Sequence, residues 1–328
     1  MPDKVIHGGM VKRCQEITGN VILDFSASIN PFPPAVAWDA SRAVLDEYPD
    51  DTYASLKETI ARRFDRETDE IAVGNGSIEL IRVFCSVTLK QGDCIWHEVP
   101  TFGEYELSAS LAGAHTVPGM QDASVSFLCN PNNPTGHLRA RQNIRELLGT
   151  SIRLGGLLFL DEAFIELSDP RQSLIDVRDE RLFLIRSLTK SFGVPGIRFG
   201  YGLGDPGLIA RMEVSRPPWS VNAYAESFAI AAFRHYADLE RSRELIASER
   251  EWLSRECTHL GLGVSPSMAN FLLMDTHRNA SDLCLRLHDA GILVRDCTSF
   301  GLPEFIRIAV RSRGENRQLI EALSACLH

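Results

Sequence analysis

Short apolar runs alternate with stretches of helical composition between about residues 48 and 216. The apolar runs, which predict strands, cover residues 94–97, 124–129, 157–160 and 182–185. Helical composition is found at residues 59–66 and 78–89. Short apolar strands separated by helices predict an α/β fold, with a mostly parallel sheet covered by helices on both faces. We assign this unit to a large domain, residues 48–216.

The pattern changes after about residue 222. A long, charged helical stretch continues through residue 256, and apolar runs at residues 270–274 and 305–310 then predict strands, with helices between and after them. This order of elements predicts a smaller α+β domain over residues 217–328.

The N-terminal segment, residues 1–47, lacks a helical pattern. Pro31, Pro33 and Pro34 break any helix there. We therefore expect this segment to run between the small domain and the functional site. The chain contains no internal repeat and no low-complexity region.

The composition excludes several classes of protein. The length of 328 residues and the hydrophobic content of 44% fit a two-domain globular chain. No apolar run approaches the roughly 18 residues that a membrane helix needs, and the start lacks a signal peptide's apolar core, so we expect a cytoplasmic protein without membrane contact. A net charge of -9 argues against nucleic-acid binding but permits a small anionic ligand. The eight cysteines lack metal-finger spacing, so we expect reduced thiols and no metal site.

Two charged residues follow predicted strands, at the edge where ligands of parallel sheets gather. Asp161 ends one apolar run, and a carboxylate there is costly to desolvate unless it meets a cation. Lys190 follows the next run, among small and hydroxylated residues. Pyridoxal phosphate needs an amine for a Schiff base, a carboxylate beside its pyridine nitrogen, and donors for its phosphate. The sequence therefore predicts pyridoxal 5'-phosphate as cofactor, although Lys190 alone could be a solvated surface residue.

Two further segments can bind the cofactor phosphate. Gly76 and Ser77 lead into a predicted helix, whose first N–H groups and dipole favour an anion. Ser187 and Arg198 lie at the two ends of an irregular loop that can hold an anion between them. A plain helix cap by Ser77 is the structural alternative.

Asn133 and Phe102 each have an ordinary alternative as well. Asn133 belongs to the NNPTG motif at residues 132–136, which follows a predicted strand. Its amide can donate to the phenolic oxygen of a ring over the strand ends, but the motif could also form a simple turn. Phe102 can stack on the same ring or pack in the core.

Together these residues resemble the aspartate-aminotransferase superfamily, the fold-type I pyridoxal-phosphate enzymes, over nearly the whole chain. The resemblance implies that Lys190 forms the Schiff base, Asp161 pairs with the pyridine nitrogen and Asn133 contacts the phenolate. It assigns the cofactor phosphate and ring to Gly76, Ser77, Ser187, Arg198 and Phe102. Tyr48, in the motif YPD, is similar to a tyrosine that histidinol-phosphate aminotransferases contribute across their dimer, which implies a homodimer with shared sites.

Within the superfamily the resemblance is closest to the threonine-phosphate decarboxylases of cobalamin biosynthesis. The motifs that carry it are HGG at residues 7–9, DFSASINP at 24–31, DEAFI at 161–165, PWSVN at 218–222 and RIAVRS at 307–312. The substrate-binding residues that it implies are His7, Asn30, Asn133, Arg295 and Arg307. The implied reaction converts L-threonine O-3-phosphate, a small phosphorylated amino acid, to (R)-1-amino-2-propanol O-2-phosphate, the linker of the cobalamin nucleotide loop.

Two departures from the family patterns bear on the alternatives. Phe164 stands where many aminotransferases have tyrosine, which removes a donor to the phenolate. Ser28 stands where the decarboxylases usually have asparagine. A histidinol-phosphate or related aminotransferase would use the same anchor residues on a phosphorylated substrate. A non-catalytic ligand sensor, fused in some regulators to a DNA-binding module, is more remote because the chain starts with the enzyme-like segment.

Overall fold

The computed structural model describes residues 4–9 and 22–327. Its strands, in chain order, are β1 (Leu23–Asp24), β2 (Ile71–Asn75), β3 (Cys94–His97), β4 (His115–Thr116), β5 (Val125–Cys129), β6 (Leu157–Asp161), β7 (Leu182–Arg186), β8 (Phe199–Leu203), β9 (Gly263–Val264), β10 (Phe271–Asp275), β11 (Ile292–Leu293), β12 (Arg295–Asp296) and β13 (Phe305–Ala309). Its α-helices are α1 (Ala54–Phe64), α2 (Ser77–Thr88), α3 (Glu104–Leu111), α4 (Arg141–Arg153), α5 (Leu188–Ser191), α6 (Pro206–Ser215), α7 (Ala223–Phe233), α8 (Leu239–His259), α9 (Ala280–Asp289) and α10 (Arg313–Leu327). Short 3-10 helices lie at Ala40–Arg42, Thr68–Glu70, Met120–Asp122, Ile165–Leu167, Pro170–Gln172, Pro195–Ile197, Tyr236–Asp238 and Thr298–Phe300.

A seven-stranded sheet with the order β2-β8-β7-β6-β5-β3-β4 forms the centre of the molecule. The neighbours from β7 to β4 in this order all pair in parallel. Strand β8 runs antiparallel to both β2 and β7. The predicted α/β fold with a mostly parallel sheet is therefore confirmed.

Successive residues of the central strands point into two different hydrophobic clusters. Leu158 and Leu160 belong to the cluster that includes residues of α1, α4 and α7. Phe159, between them, belongs to the cluster that includes residues of α2, α3 and α6. Because side chains alternate along a strand, helices cover both faces of the sheet. The carboxyl ends of the parallel strands are then the natural place for a ligand.

The second sheet is antiparallel and has the order β12-β13-β10-β9. Its hydrophobic cluster includes residues of α8, α9 and α10 and also the fully buried Phe25. Strand β1 pairs in parallel with β11, with Leu23 opposite Ile292. Residues 23–25 therefore pack against the C-terminal part of the chain, whereas Phe32, Val36 and Trp38 pack against a cluster of the seven-stranded sheet. The exact domain boundaries stay predictions.

The charged stretch predicted as one helix over residues 222–256 is two helices, α7 and α8. Between them Tyr236 turns inward, and its hydroxyl donates to Glu166 Oε1 at 2.7 Å. Helix α7 is apolar, and its Phe228 and Phe233 pack in a cluster of the seven-stranded sheet. The packing of that sheet therefore continues beyond residue 216.

Helix α1 also begins earlier than predicted. The Asp50 carboxylate accepts a hydrogen bond from the Ala54 N–H at 3.0 Å, so the helix starts at residue 54 rather than near residue 59. It ends at Phe64, before Asp65 with its left-handed φ of 52°.

Three absences concern residues 4–9 and 22–327. No helix among them has the length and apolar character needed to cross a bilayer. None of their histidine, cysteine and acidic side chains form a group of three or more that could hold a metal ion. The cysteines among them are free thiols, and Cys14 lies outside the described residues.

Candidate active site

A cavity of about 750 Å³ lies at the carboxyl ends of β5, β6 and β7. The N-terminal segment, the large sheet and the C-terminal sheet all contribute to its walls. The predicted site residues that line it are His7, Gly76, Ser77, Phe102, Asn133, Asp161, Ser187, Lys190, Arg198, Arg295 and Arg307. Side chains that the sequence predicts from separate motifs therefore share one cavity.

Tyr48 and Asn30 lie elsewhere. Tyr48 is 80% exposed and its ring lies 4.5 Å from that of Trp219. Asn30 is buried, and its side-chain amide donates to the Ser191 carbonyl at 2.7 Å while its backbone N–H donates to the Lys190 carbonyl at 3.0 Å. Asn30 thus holds the backbone of Lys190 and Ser191 by two hydrogen bonds. A cofactor contact by Tyr48 and a substrate contact by Asn30 stay predictions.

Lys190 lies in α5, a single helical turn that follows β7. Its Nζ is 5.9 Å from the centre of the Phe164 ring. Burial, together with the positive charges of Arg307 and Arg198, lowers the pKa of Lys190 to about 8. Because the neutral amine is the nucleophile, this environment prepares Lys190 to attack an aldehyde.

Asp161 is the last residue of β6 and is buried. Its Oδ1 accepts a hydrogen bond from the Ala163 N–H at 2.9 Å, and its Oδ2 accepts one from the Tyr105 hydroxyl at 2.7 Å. Burial raises the pKa of Asp161 to about 6. A cation bound in the cavity, such as a protonated ring nitrogen, would offset this cost of burial.

Gly76, Ser77 and Arg198 lie together at the start of α2. Ser77 is the first residue of α2, where free N–H groups and the helix dipole favour an anion. Gly76 has a φ of +76°, and a Cβ there would overlap the Arg198 guanidinium. A Cβ on Gly200 of β8 would overlap the backbone of Ser77. The two glycines therefore let the guanidinium and a strand approach the helix start. The buried Ser187 directly precedes α5, and its hydroxyl lies 2.9 Å from that of Thr189.

Arg295 and Arg307 lie directly opposite each other on the antiparallel strands β12 and β13. Both are buried, at 7% and 6% exposure. Arg307 donates to the Ser26 carbonyl at 2.9 Å and to Asn133 Oδ1, and Arg295 donates to the Ile6 carbonyl at 2.8 Å. Burial lowers the pKa of Arg307 to about 10. Like charges opposite each other destabilise a sheet, so this arrangement indicates an anion-binding wall.

Two polar groups at the cavity have no hydrogen-bond partner within the described part of the chain: Ser28 Oγ and Arg307 Nε. Ser28 is only 2% exposed. Buried polar groups are rarely left without partners, so both donors are available to a ligand.

Sequence reasoning missed Tyr105 as a site residue. It is fully buried and its ring lies 5.6 Å from that of Phe102, nearly perpendicular to it. A signal was present, because Tyr105 is an aromatic residue three positions after the predicted ring-stacking Phe102. Its N–H donates to the Phe102 carbonyl at 3.3 Å in the turn where α3 begins. The hydrogen bond to Asp161, however, depends on how α3 packs against the sheet, which no local motif reports.

Comparison with known proteins shows similarity over nearly the whole chain. A family model described as aminotransferase class I and II matches residues 22–323. Histidinol-phosphate aminotransferase of Symbiobacterium thermophilum is 35% identical over 320 residues, which cover 91% of this chain and 88% of that protein. A protein of Caldanaerobacter subterraneus subsp. tengcongensis named "Putative threonine-phosphate decarboxylase" is 35% identical over 325 residues, covering 90% of this chain and 88% of that protein.

A solved structure has the same fold. Histidinol-phosphate aminotransferase from Sinorhizobium meliloti, in complex with pyridoxal-5'-phosphate, superposes with a TM-score of 0.87 at 23% identity. The match covers 97% of this chain and 94% of that one. Names of both activities thus occur among the similar proteins.

Proposed function

Because the chain belongs to the class I and II aminotransferase family, whose cofactor is pyridoxal 5'-phosphate, we propose that it decarboxylates L-threonine O-3-phosphate for cobalamin biosynthesis. The product is (R)-1-amino-2-propanol O-2-phosphate. The observation that carries this proposal is the pair Arg295 and Arg307, two buried cations that face one cavity. Threonine phosphate has two anionic groups, a carboxylate and a phosphate, whereas histidinol phosphate has only the phosphate. Two cations match two anions.

The residues at the cavity fit pyridoxal phosphate. The glycine that admits the Arg198 guanidinium beside the start of α2 makes a place for the phosphate, and the buried Asp161 carboxyl makes one for the ring nitrogen. When bound, the cofactor supplies a protonated ring that accepts the electron pair released at substrate Cα. The residues that we propose hold it are Lys190, Asp161, Asn133, Phe102, Gly76, Ser77, Ser187 and Arg198.

Cofactor loading should depend on pH through Lys190. With a pKa of about 8 for Lys190, about one tenth of the amine is neutral at pH 7, and nearly all of it is neutral at pH 9.5. We expect the rate of covalent attachment to the apoenzyme to rise from pH 6 through pH 8 and then level off. Stopped-flow absorbance measures this rate. A rate that still rises about tenfold per pH unit at pH 9.5 would point to a lysine with its ordinary pKa.

The choice of reaction depends on which group at Cα stands perpendicular to the cofactor ring. Arg295 and Arg307 bind the carboxylate and the phosphate from the side of the C-terminal sheet, and they thereby orient Cα. Lys190 would hold the cofactor and, when its amine is free, Nζ would be placed to deliver a proton to Cα. Arg295 and Arg307 thus determine which bond at Cα breaks, and Lys190 supplies the hydrogen that takes the place of the carboxylate.

Transamination is the second candidate, favoured by the similarity to the Symbiobacterium thermophilum enzyme. Its amino donor glutamate also has two carboxylates, which the arginine pair would accept. Against it stands Phe164, whose ring packs 5.1 Å from that of Phe271 and faces Lys190. Phe164 gives this part of the cavity an apolar aromatic ring, whereas many aminotransferases have a tyrosine hydroxyl at the same position.

The two candidates are separated by parallel assays on the purified holoenzyme. We expect CO2 release from threonine phosphate without 2-oxo acid, and little amino transfer from histidinol phosphate to 2-oxoglutarate. Serine phosphate belongs in the same series, because one methyl group gives only about 1–3 kcal/mol of discrimination. Efficient amino transfer without CO2 release would replace the proposal with the aminotransferase.

Removing one arginine of the pair should weaken selection for the phosphorylated substrate. For Arg307→Ala or Arg295→Ala we expect a loss of roughly 2–5 kcal/mol in kcat/KM for threonine phosphate, because each buried cation meets an anion there. Unphosphorylated threonine should be a poor substrate of the parent. Arg317→Ala, an exposed position on α10, is the control. Variants that keep the parent's efficiency and its preference for the phosphate would show that the pair binds no substrate.

We also propose that the enzyme is a homodimer with shared sites. Tyr48 and Trp219 form an exposed aromatic pair, and Val44 and Leu45 are exposed as well. Clustered exposed apolar side chains are typical of an interface, here with a second copy of the chain. Sedimentation of the holoenzyme tests the assembly, and a monomer at micromolar concentration would contradict it.

A further inference from the structure

Glu104, a residue outside the predicted site, holds His7 at the edge of the cavity. Glu104 is the first residue of α3 and is only 4% exposed. Its Oε1 lies 2.8 Å from His7 Nε2, and its Oε2 accepts a hydrogen bond from Arg82 at 2.6 Å. Both carboxylate oxygens are therefore used, one toward the N-terminal segment and one toward helix α2.

The protonation state of the Glu104 carboxyl determines which residue donates the hydrogen bond between Glu104 and His7. Burial alone would raise the pKa of Glu104, but hydrogen bonds from His7 and the charge of Arg82 outweigh it and lower the pKa. An ionised carboxylate only accepts hydrogen bonds, so Nε2 of His7 carries the hydrogen. Nδ1 has no hydrogen-bond partner among residues 4–9 and 22–327, and His7 lines the cavity. Nδ1 is thus the ring nitrogen left for a ligand.

The backbone around His7 is tied to the opposite wall. Arg295 donates to the carbonyl of Ile6, and the Gly9 N–H donates to Ser26 Oγ at 2.8 Å. The segment of residues 4–9 therefore crosses the cavity from the C-terminal sheet to α3. The side-chain hydrogen bond between His7 and Glu104 then connects this segment to α3, one of the helices that cover the large sheet.

We propose that Glu104 is a positioning residue that acts through His7, holding the imidazole by Nε2 so that its other ring nitrogen, Nδ1, faces the substrate phosphate. The ring then lies between two anions, the Glu104 carboxylate and the phosphate. Arg82, on the outer side of Glu104, keeps that carboxylate ionised. The inference rests on the proposed function, since it assigns the phosphate of the substrate to the end of the cavity that His7 occupies.

The test measures binding of 3-phosphooxybutanoate, the threonine phosphate skeleton without its amine, to the holoenzyme by calorimetry. Glu104→Gln should raise its Kd about ten- to one-hundredfold, because a hydrogen bond to a charged group is lost. KM for threonine phosphate should rise in parallel while kcat stays within about twofold. Glu104→Asp should recover part of the affinity. Glu321→Gln is the control and should leave Kd unchanged, since Glu321 lies exposed on α10 and does not line the cavity.

A double-mutant cycle distinguishes positioning from a general effect on folding. His7→Ala alters an exposed segment and should raise Kd as much as Glu104→Gln does. The double variant should have the same Kd as His7→Ala alone, because Glu104 acts through His7. Additive losses, or a loss with His7→Ala but none with Glu104→Gln, would overturn the inference. So would a Kd unchanged by His7→Ala.

The binding measurement also separates this inference from the proposed function. If the parent binds the analogue and Glu104→Gln weakens it, but no CO2 forms from threonine phosphate, the decarboxylase assignment fails and the positioning role stands. If the parent releases CO2 from threonine phosphate but does not bind the analogue, or binds it equally well after Glu104→Gln, the positioning role fails and the decarboxylase assignment stands.

Discussion

Replacing Lys190 with alanine will remove both the visible absorbance of the bound cofactor and all turnover. Among residues 4–9 and 22–327, the other lysine that lines the cavity is Lys4, which belongs to the N-terminal segment and not to the strand ends. Lys190 also has the environment that a nucleophile needs, with its pKa lowered to about 8 by burial and by neighbouring guanidinium groups. Absorbance spectroscopy and CO2 release from threonine phosphate measure the two effects.

Lys190→Arg is the control for charge. It keeps a cation at this position but cannot form a covalent link to an aldehyde, so it should be as inactive as alanine. We expect both variants to unfold cooperatively at temperatures near that of the parent apoenzyme. A Lys190→Ala protein that stays yellow after dialysis and turns over substrate would refute the assignment of the covalent link.

Asp161→Asn should retain the cofactor but lose about 10²–10⁴-fold in kcat. The buried carboxyl of Asp161 can stabilise a proton on the ring nitrogen by charge. A neutral amide of the same shape can still accept from the Tyr105 hydroxyl, but it cannot balance a cation. The measurement is single-turnover decay of threonine phosphate, with cofactor content determined on the same sample.

Tyr105→Phe is the matched control for Asp161. It removes the hydrogen bond to Asp161 Oδ2 and leaves the carboxyl in place. We expect a loss of less than about tenfold, because the charge beside the ring nitrogen remains. If Asp161→Asn costs no more than Tyr105→Phe, the carboxylate does not serve to hold a proton on the ring.

Residues set by local motifs could be predicted from the sequence. Asp161 ends an apolar strand, Gly76 precedes a helix start, and Lys190 follows the next strand within a short loop. The carboxyl ends of parallel strands meet at one edge of a sheet, so each local prediction also placed the residue relative to the others. The structure brings all three to the same cavity.

Contacts that depend on packing between distant elements could not be predicted. The alignment of Arg295 with Arg307 is a matter of strand register, and a shift of one residue would turn either side chain to the other face. Glu104 meets His7 only because the N-terminal segment crosses α3. Between α7 and α8, the Tyr236 hydroxyl donates to Glu166, a residue 70 positions away in the chain. None of these contacts can be predicted from the hydrophobic periodicity of the sequence.

The pairing of β1 with β11 sets the order in which a newly made chain can complete its cavity. Leu23 leaves the ribosome long before its partner Ile292. The central sheet can assemble first, since domains tend to fold as they emerge. Arg295 and Arg307 follow Ile292 in the chain, so their guanidinium groups join the cavity only after the strands of the central sheet have been made. The N-terminal segment therefore waits for residues that are made much later before its strand can pair.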